Sequence, residues 1–210
     1  MNKLLPLLAG TLLLLSAVGC DKAQKAQETY SNLSKLADAG KNMETNLKQA
    51  TDRRAERVKK GDTLSLPYKE LQTYLPAAVE GYAAAEPSGQ SMSVSGMSFS
   101  TAERKFTKGP DEVDVKIVDY NGANQLYQGA SMMFSLNMES EDAESLTRTT
   151  TIKQDGVKGS ATLGKKTGQA DLTLAVGDRF LVTVSGTNQK DLALVESVAQ
   201  SLDLAKLTKL

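Results

Sequence analysis

Histidine and tryptophan are absent from this 210-residue chain, and it carries a single cysteine. Without an imidazole, Ser-His-Asp and Cys-His catalysis, His-ligated zinc and His-ligated haem are all excluded. What remains is the chemistry of carboxylates, lysine, tyrosine, serine and the backbone. Aromatic residues make up only 5% of the chain, so core volume must come from Leu, Val, Met and Ala. An excess of one charge is also missing. The 25 basic residues balance the 25 acidic ones, which gives no global attraction to nucleic acid. Nor does any uninterrupted apolar run reach the ~20 residues that a membrane-spanning helix needs. The longest, Leu4–Val18, is shorter than that and is broken by Pro6, Gly10, Thr11 and Ser16.

That run is nevertheless the most informative stretch. Lys3 supplies a short positive segment before it, and Ala17-Val18-Gly19-Cys20 places small residues directly before the only thiol. A charged start, an apolar middle and a small-residue end form the layout of an export signal. The ending resembles the lipobox of bacterial lipoproteins, with Ala17 where Leu is usual. The resemblance implies that the Cys20 sulfur receives a diacylglyceryl group, that residues 1–19 are removed, and that the new amine is acylated. One acyl chain holds a protein only marginally to a bilayer, at ~0.8 kcal/mol per buried CH₂, whereas two or more hold it firmly. Lipidation also accounts for the odd cysteine. It leaves no thiol for a disulfide, a nucleophile, a metal or an iron–sulfur cluster. Asp21 resembles the sorting signal that keeps enterobacterial lipoproteins on the periplasmic face of the inner membrane. The outer membrane is the alternative destination.

The expected organisation is a lipoprotein signal peptide over 1–19, a lipid-anchored helical tether over 20–61 and a globular domain over 62–210. Within the tether, Leu33, Leu36, Gly40, Met43, Leu47 and Ala50 follow the 3, 4, 3, 4, 3 spacing of a heptad seam. The seam is thin and ends at Arg54 and Arg57. It leaves two readings: a tether or domain-packed helix, or an oligomerising stalk. Arg53, Arg54, Arg57, Lys59 and Lys60 are expected to be a solvated last turn that complements the helix dipole, with Gly61 as C-cap. Contact with anionic lipid headgroups is the alternative.

In the globular part, Asp62–Leu66 reads as a short strand. Tyr68–Leu75 reads as a short helix opened by Pro67 and closed by Pro76. Tyr82–Glu86 is a further strand, Glu86–Gln90 a turn, and Ser91–Thr107 a loosely alternating strand with Gly96 as a bulge. Val113, Val115 and Ile117 alternate cleanly in Glu112–Tyr120. Ala123–Leu136 returns to helical spacing, with Leu126, Ala130, Met133 and Phe134 inward. Strands follow at Leu146–Gln154, Gly159–Leu163, Asp171–Val176 and Arg179–Ser185, with turns at Asp155-Gly156, Gly164–Gly168 and Gly177-Asp178. An amphipathic helix, Asn188–Leu202, buries Leu192, Val195, Val198, Ala199 and Leu202, and Leu204 and Leu207 close the chain. The fold class is α+β, an antiparallel sheet of about 6–7 strands packed with helices and preceded by a long N-terminal helix. The stretch Gly177–Leu207, with Val184-Ser185-Gly186 before a helix that ends at Leu202-Asp203-Leu204, resembles the end of PsbP-like α+β domains. Tyr68-Lys69-Glu70-Leu71-Gln72 and Val118-Asp119-Tyr120-Asn121 are similar to motifs of bacterial lipoproteins of this length.

No cluster carries a chemical motif. The acidic residues Glu139, Glu141, Asp142 and Glu144 lack the spacing and central Gly of a calcium loop. Lys165 and Lys166 fall in a hairpin tip, where an ammonium is well hydrated. Met92, Met97, Met132, Met133 and Met138 read either as core filling or as an adaptable groove. Tyr68, Tyr74, Tyr82, Tyr120 and Tyr127 edge a cleft only if the fold brings them together. The expected function is a non-catalytic, lipid-anchored envelope domain that binds a partner protein or accessory ligand. It would have no resident cofactor or metal and no nucleic-acid partner, and its membrane contact would run through Cys20. The alternatives are a hydrolase or transferase that works with carboxylates alone, and an oligomerising structural stalk.

Overall fold

The computed structural model describes residues 44–45, 47–132, 134 and 139–210. Cys20, Asp21, Met133, Met138 and most of the expected N-terminal helix lie outside the described residues. No described helix is long and apolar enough to cross a membrane.

Helix α1 runs over 47–59. Its end is a Schellman closure: the Gly61 amide donates to the Val58 carbonyl and the Asp62 amide to the Arg57 carbonyl, with Gly61 at φ +79°. A Cβ at that dihedral costs roughly 1–2 kcal/mol, so glycine serves as the expected C-cap. Helix α2, Tyr68–Leu71, continues into a 3₁₀ turn at Gln72–Tyr74 and packs Leu71 into the core.

Nine strands follow: β1 Ala83–Ala84, β2 Ser88–Val94, β3 Met97–Lys108, β4 Asp111–Asp119, β5 Ser140–Glu141, β6 Ser145–Thr149, β7 Val157–Gly164, β8 Ala170–Val176 and β9 Phe180–Gly186. All their pairings are antiparallel. The order across the sheet is β1-β3-β4-β9-β8-β7-β6-β5, and β2 shares the β3 edge with β1. Two meanders, β2–β4 and β5–β9, are therefore joined by the β4–β9 pairing, in which Ile117 faces Val182 and Asp119 faces Phe180. Helices α3 (Asn124–Ser131), α4 (Ala193–Gln200) and α5 (Leu204–Leu207) complete the fold.

The strands explain which face is buried. In β4, Val113, Val115, Ile117 and Asp119 alternate inward, and in β9 Phe180, Val182 and Val184 do the same. They form one core with α2, α4 and α5, in which Leu192, Val195, Val198, Ala199, Leu202, Leu204 and Leu207 are all buried as expected. Arg148 of β6 reaches over the core edge and donates to both Glu196 carboxylate oxygens, at 3.0 and 2.9 Å.

Several expectations change. The sheet has nine strands rather than 6–7, because the expected single strand Ser91–Thr107 is two, β2 and β3, with β2 reaching back to Ser88 into the expected turn, and because two-residue strands sit at the edges. Gly96 is no bulge: Ser95 and Gly96, at φ 51° and 79°, make a two-residue hairpin turn. Asp62–Leu66 is irregular rather than a strand. Its amides at Ser65 and Leu66 donate to the Ser98 hydroxyl and the Asp119 carboxylate instead of to a ladder. Asn188–Leu202 is helical only from Ala193, because Asn188 is left-handed (φ 57°) and the Gln189 amide donates to the Gly168 carbonyl. Leu146–Gln154 pairs only as far as Thr149. Helix α3 turns Tyr127 inward and leaves Leu126 52% exposed, the reverse of the expected facing.

On the sheet face opposite the core helices, Asp114 of β4 lies among Glu103, Lys105 and Lys116, and one of its carboxylate oxygens is buried without a partner among the described residues. Burial, then the Glu103 charge, raises its pKa above the ordinary aspartate range, against the two lysines. With the folded value raised, ionising Asp114 disfavours the native state. The cost is absent below the ordinary aspartate pKa and develops as pH rises through the folded one. Asp114→Asn should therefore raise the urea midpoint at about pH 7 and lose that advantage near about pH 3. A variant less stable than wild type at neutral pH would contradict this account.

Candidate functional site: a cleft built on the Asp178 turn

Because β4 and β9 are neighbours, the end of one lies beside the start of the other. Asp119, fully buried, thus meets Arg179, 2% exposed. The guanidinium grips the carboxylate with both ends, Nε to Oδ1 at 2.9 Å and one terminal nitrogen to Oδ2 at 2.8 Å. Its other terminal nitrogen donates to Asp62 Oδ2 at 3.0 Å and to the main-chain oxygen of Leu210 at 3.3 Å. Asp119 also accepts from the Leu66 and Asn121 amides, at 2.8 and 2.9 Å. The Asn121 side-chain amide donates to Asp62 Oδ1 at 2.7 Å and to the Leu64 carbonyl at 3.0 Å. A buried charge is tolerable only when paired and hydrogen-bonded in this way.

Helix α1 docks onto the same group. Arg57, buried, donates to Asn121 Oδ1 at 3.2 Å, and Arg54 donates to the Asn121 carbonyl at 2.7 Å. Arg53 forms a salt bridge with Asp178. The expected solvated last turn is therefore corrected for Arg53, Arg54 and Arg57, which bind the domain. Burial, and then the nearby Arg179 charge, lowers the Arg57 pKa. Through these contacts the described part of the helix, 47–59, packs on the domain.

The Asp178 turn, between β8 and β9, holds these partners in place. Gly177 and Asp178 are both left-handed, at φ 61° and 55°. A Cβ at Gly177 would lie 3.1 Å from the Thr208 Cα, so the turn needs glycine for conformation and for space. The Asp178 carbonyl points back to accept from Asn124 Nδ2 at 3.3 Å.

Between α1, α3 and this turn lies a cleft of about 170 Å³. Leu47, Ala50 and Arg53 come from α1, Tyr127 and Gln128 from α3, with Met132 just beyond it, and Lys158, Ala175 and Asp178 from the sheet side. Leu47 and Met132 are 43% and 49% exposed. Burial, and then the Asp178 charge, raises the Tyr127 pKa, so its hydroxyl stays protonated. Burial is the main cause lowering the Lys158 pKa, opposed by Asp178 and aided by Arg53.

Of the residues singled out from sequence, Leu47, Ala50 and Arg53 of the tether and Tyr127 and Met132 of the domain reach this cleft. The other tyrosines are dispersed: Tyr74 lies under Lys206, Tyr82 under Lys108, and Tyr120 stacks on Phe99. Lys165 and Lys166 pair with Glu141 and Glu144, which ties the hairpin tip to the acidic segment at the protein surface. Among the described residues, no group of three or more carboxylates, His or Cys is placed to hold a metal ion.

As site residues Asp119, Arg179, Asp178 and Lys158 were not singled out from sequence, although Gly177-Asp178 was expected as a turn, which it is. The signal for Asp119 was present: it continues the inward phase of Val113, Val115 and Ile117, which marks a buried acid in need of a partner. Comparison with protein-family models, with curated proteins and with solved structures gave no match.

Asp119→Ala strips Arg179 of its bidentate partner and leaves a buried charge held only by Asp62 and the Leu210 main-chain oxygen, both through one terminal nitrogen. The expected loss is on the order of 3–5 kcal/mol in urea unfolding. A loss under about 1 kcal/mol, the size of an exposed pair, would show that the network is solvated.

Proposed function

We propose that this chain is a lipid-anchored envelope lipoprotein whose α+β domain binds a partner or ligand without transforming it. The lone Cys20 behind Leu4–Val18 carries the anchor half of this reading, and Asp21 favours the periplasmic face of the inner membrane. For the domain, the carrying observation is the composition of the cleft. Among the described residues its one carboxylate, Asp178, is already engaged by Arg53, so they do not assemble there the paired carboxylates of acid–base hydrolysis. An apolar rim with a few convergent polar groups is instead the usual make-up of a binding site.

The carboxylate-enzyme reading keeps one supporting observation, the proximity of Glu103 and Asp114 on the open sheet face. A turnover abolished by both Glu103→Gln and Asp114→Asn would favour it.

The anchor is tested by growth with labelled palmitate in a lipoprotein-processing bacterium. Label should enter the wild-type protein and be absent from Cys20→Ala. An unlabelled wild type would overturn the lipoprotein reading.

A further inference from the structure

The charges around the cleft do not cancel. Arg53 and Lys158 contribute two cations, against the one carboxylate of Asp178. Arg53 meets that carboxylate through its Nε, so the two terminal nitrogens of the guanidinium are the ends left for another acceptor. Lys158 rises from the sheet face opposite Ala175 on the neighbouring strand, and it makes no salt bridge among the described residues. The exposed Lys158 ammonium and the Arg53 guanidinium line the same cleft as Asp178, and two cations against one carboxylate leave a positive balance that attracts an anion.

The other walls are apolar. The Leu47 and Met132 side chains stand exposed at the cleft, with Ala50, Ala175 and the Tyr127 ring deeper in it. A thioether beside a leucine makes an adaptable surface for an aliphatic or aromatic body. At about 170 Å³ the space falls below the roughly 300–1,000 Å³ of pockets that enclose drug-sized ligands. The occupant is therefore small, or it inserts one end. The protonated Tyr127 hydroxyl can donate, and so can the second N–H of the Gln128 amide, whose first donates to Asn124 Oδ1 at 3.0 Å, which suits an acceptor-rich headgroup.

We propose that this cleft binds a small amphiphilic monoanion, a carboxylate on a short acyl body, with its headgroup between Lys158 and Arg53 and its chain along Leu47 and Met132. This names the ligand class for the binding function proposed above and rests on that reading of the domain.

Octanoate and the neutral octanol are suitable probes, with the full-length Cys20→Ala chain and the Met132 methyl resonance as the readout. Octanoate should shift that resonance saturably and bind at least about tenfold more tightly than octanol, the size of one charge-assisted hydrogen bond. Lys158→Met should weaken octanoate by at least about tenfold and leave octanol unchanged, whereas Lys165→Met, on the distant hairpin, should change neither. No saturable shift, equal affinity for the two probes, or full octanoate affinity in Lys158→Met would each overturn the proposal. So would a shift produced only by phosphatidylglycerol vesicles, which would make the cleft a bilayer contact. None of these outcomes alters palmitate labelling at Cys20, so the ligand proposal and the anchor fail separately.

Discussion

Asp119 and Arg179 stand at the adjoining ends of β4 and β9, shut away from water, and each holds the other in a two-pronged ion pair. That pair sits where the two meanders of the sheet meet. It also collects the chain segments that no ladder holds: the irregular stretch after Gly61, through Asp62 and the Leu66 amide; the turn at Asn121; and the closing residue Leu210. Replacing such a group by apolar side chains can be neutral or even stabilising, so its worth lies less in net stability than in fixing which segments meet. In this fold it specifies the docking of α1.

The cleft follows from that docking. Arg57 and Arg54 bind Asn121, which the Asp119 network orients, and Arg53 binds Asp178 on the turn next to Arg179. Leu47 and Ala50, which continue the apolar seam read from the sequence, thereby come to face α3 and Lys158 across an open space rather than a partner helix. A segment whose composition reads as a tether thus supplies one wall of the candidate site.

Much of the sheet was legible because it obeys period two. Val113, Val115 and Ile117, and Phe180, Val182 and Val184, mark their buried faces without ambiguity, and the spacing in Leu192–Leu207 marks the covering helices. The misreadings have local causes. Ser88–Gln90 is small, polar and exposed, with a turn-like composition, and only its pairing with Glu103, Ala102 and Thr101 of β3 makes it part of a strand. Asp62–Leu66 has strand-like composition but finds side-chain acceptors first. In α3, Leu126 and Tyr127 compete for the inward position, and Tyr127 wins because its ring fits against the Asp178 turn. The site was nearly invisible for a different reason. Arg53, Tyr127, Lys158 and Asp178 lie on four elements, and no spacing along a chain announces residues that converge only through topology.

The central claim, that the buried charge group clamps α1 to the sheet, is open to one direct measurement: amide hydrogen exchange under native conditions in wild type and Arg57→Ala. The clamp predicts that the α1 amides are protected in wild type and that the variant loses at least about tenfold of that protection there, while amides of β8 and β9 keep theirs, because local opening is confined to the released element. Unprotected α1 amides in wild type, or equal protection in the two proteins, would contradict it.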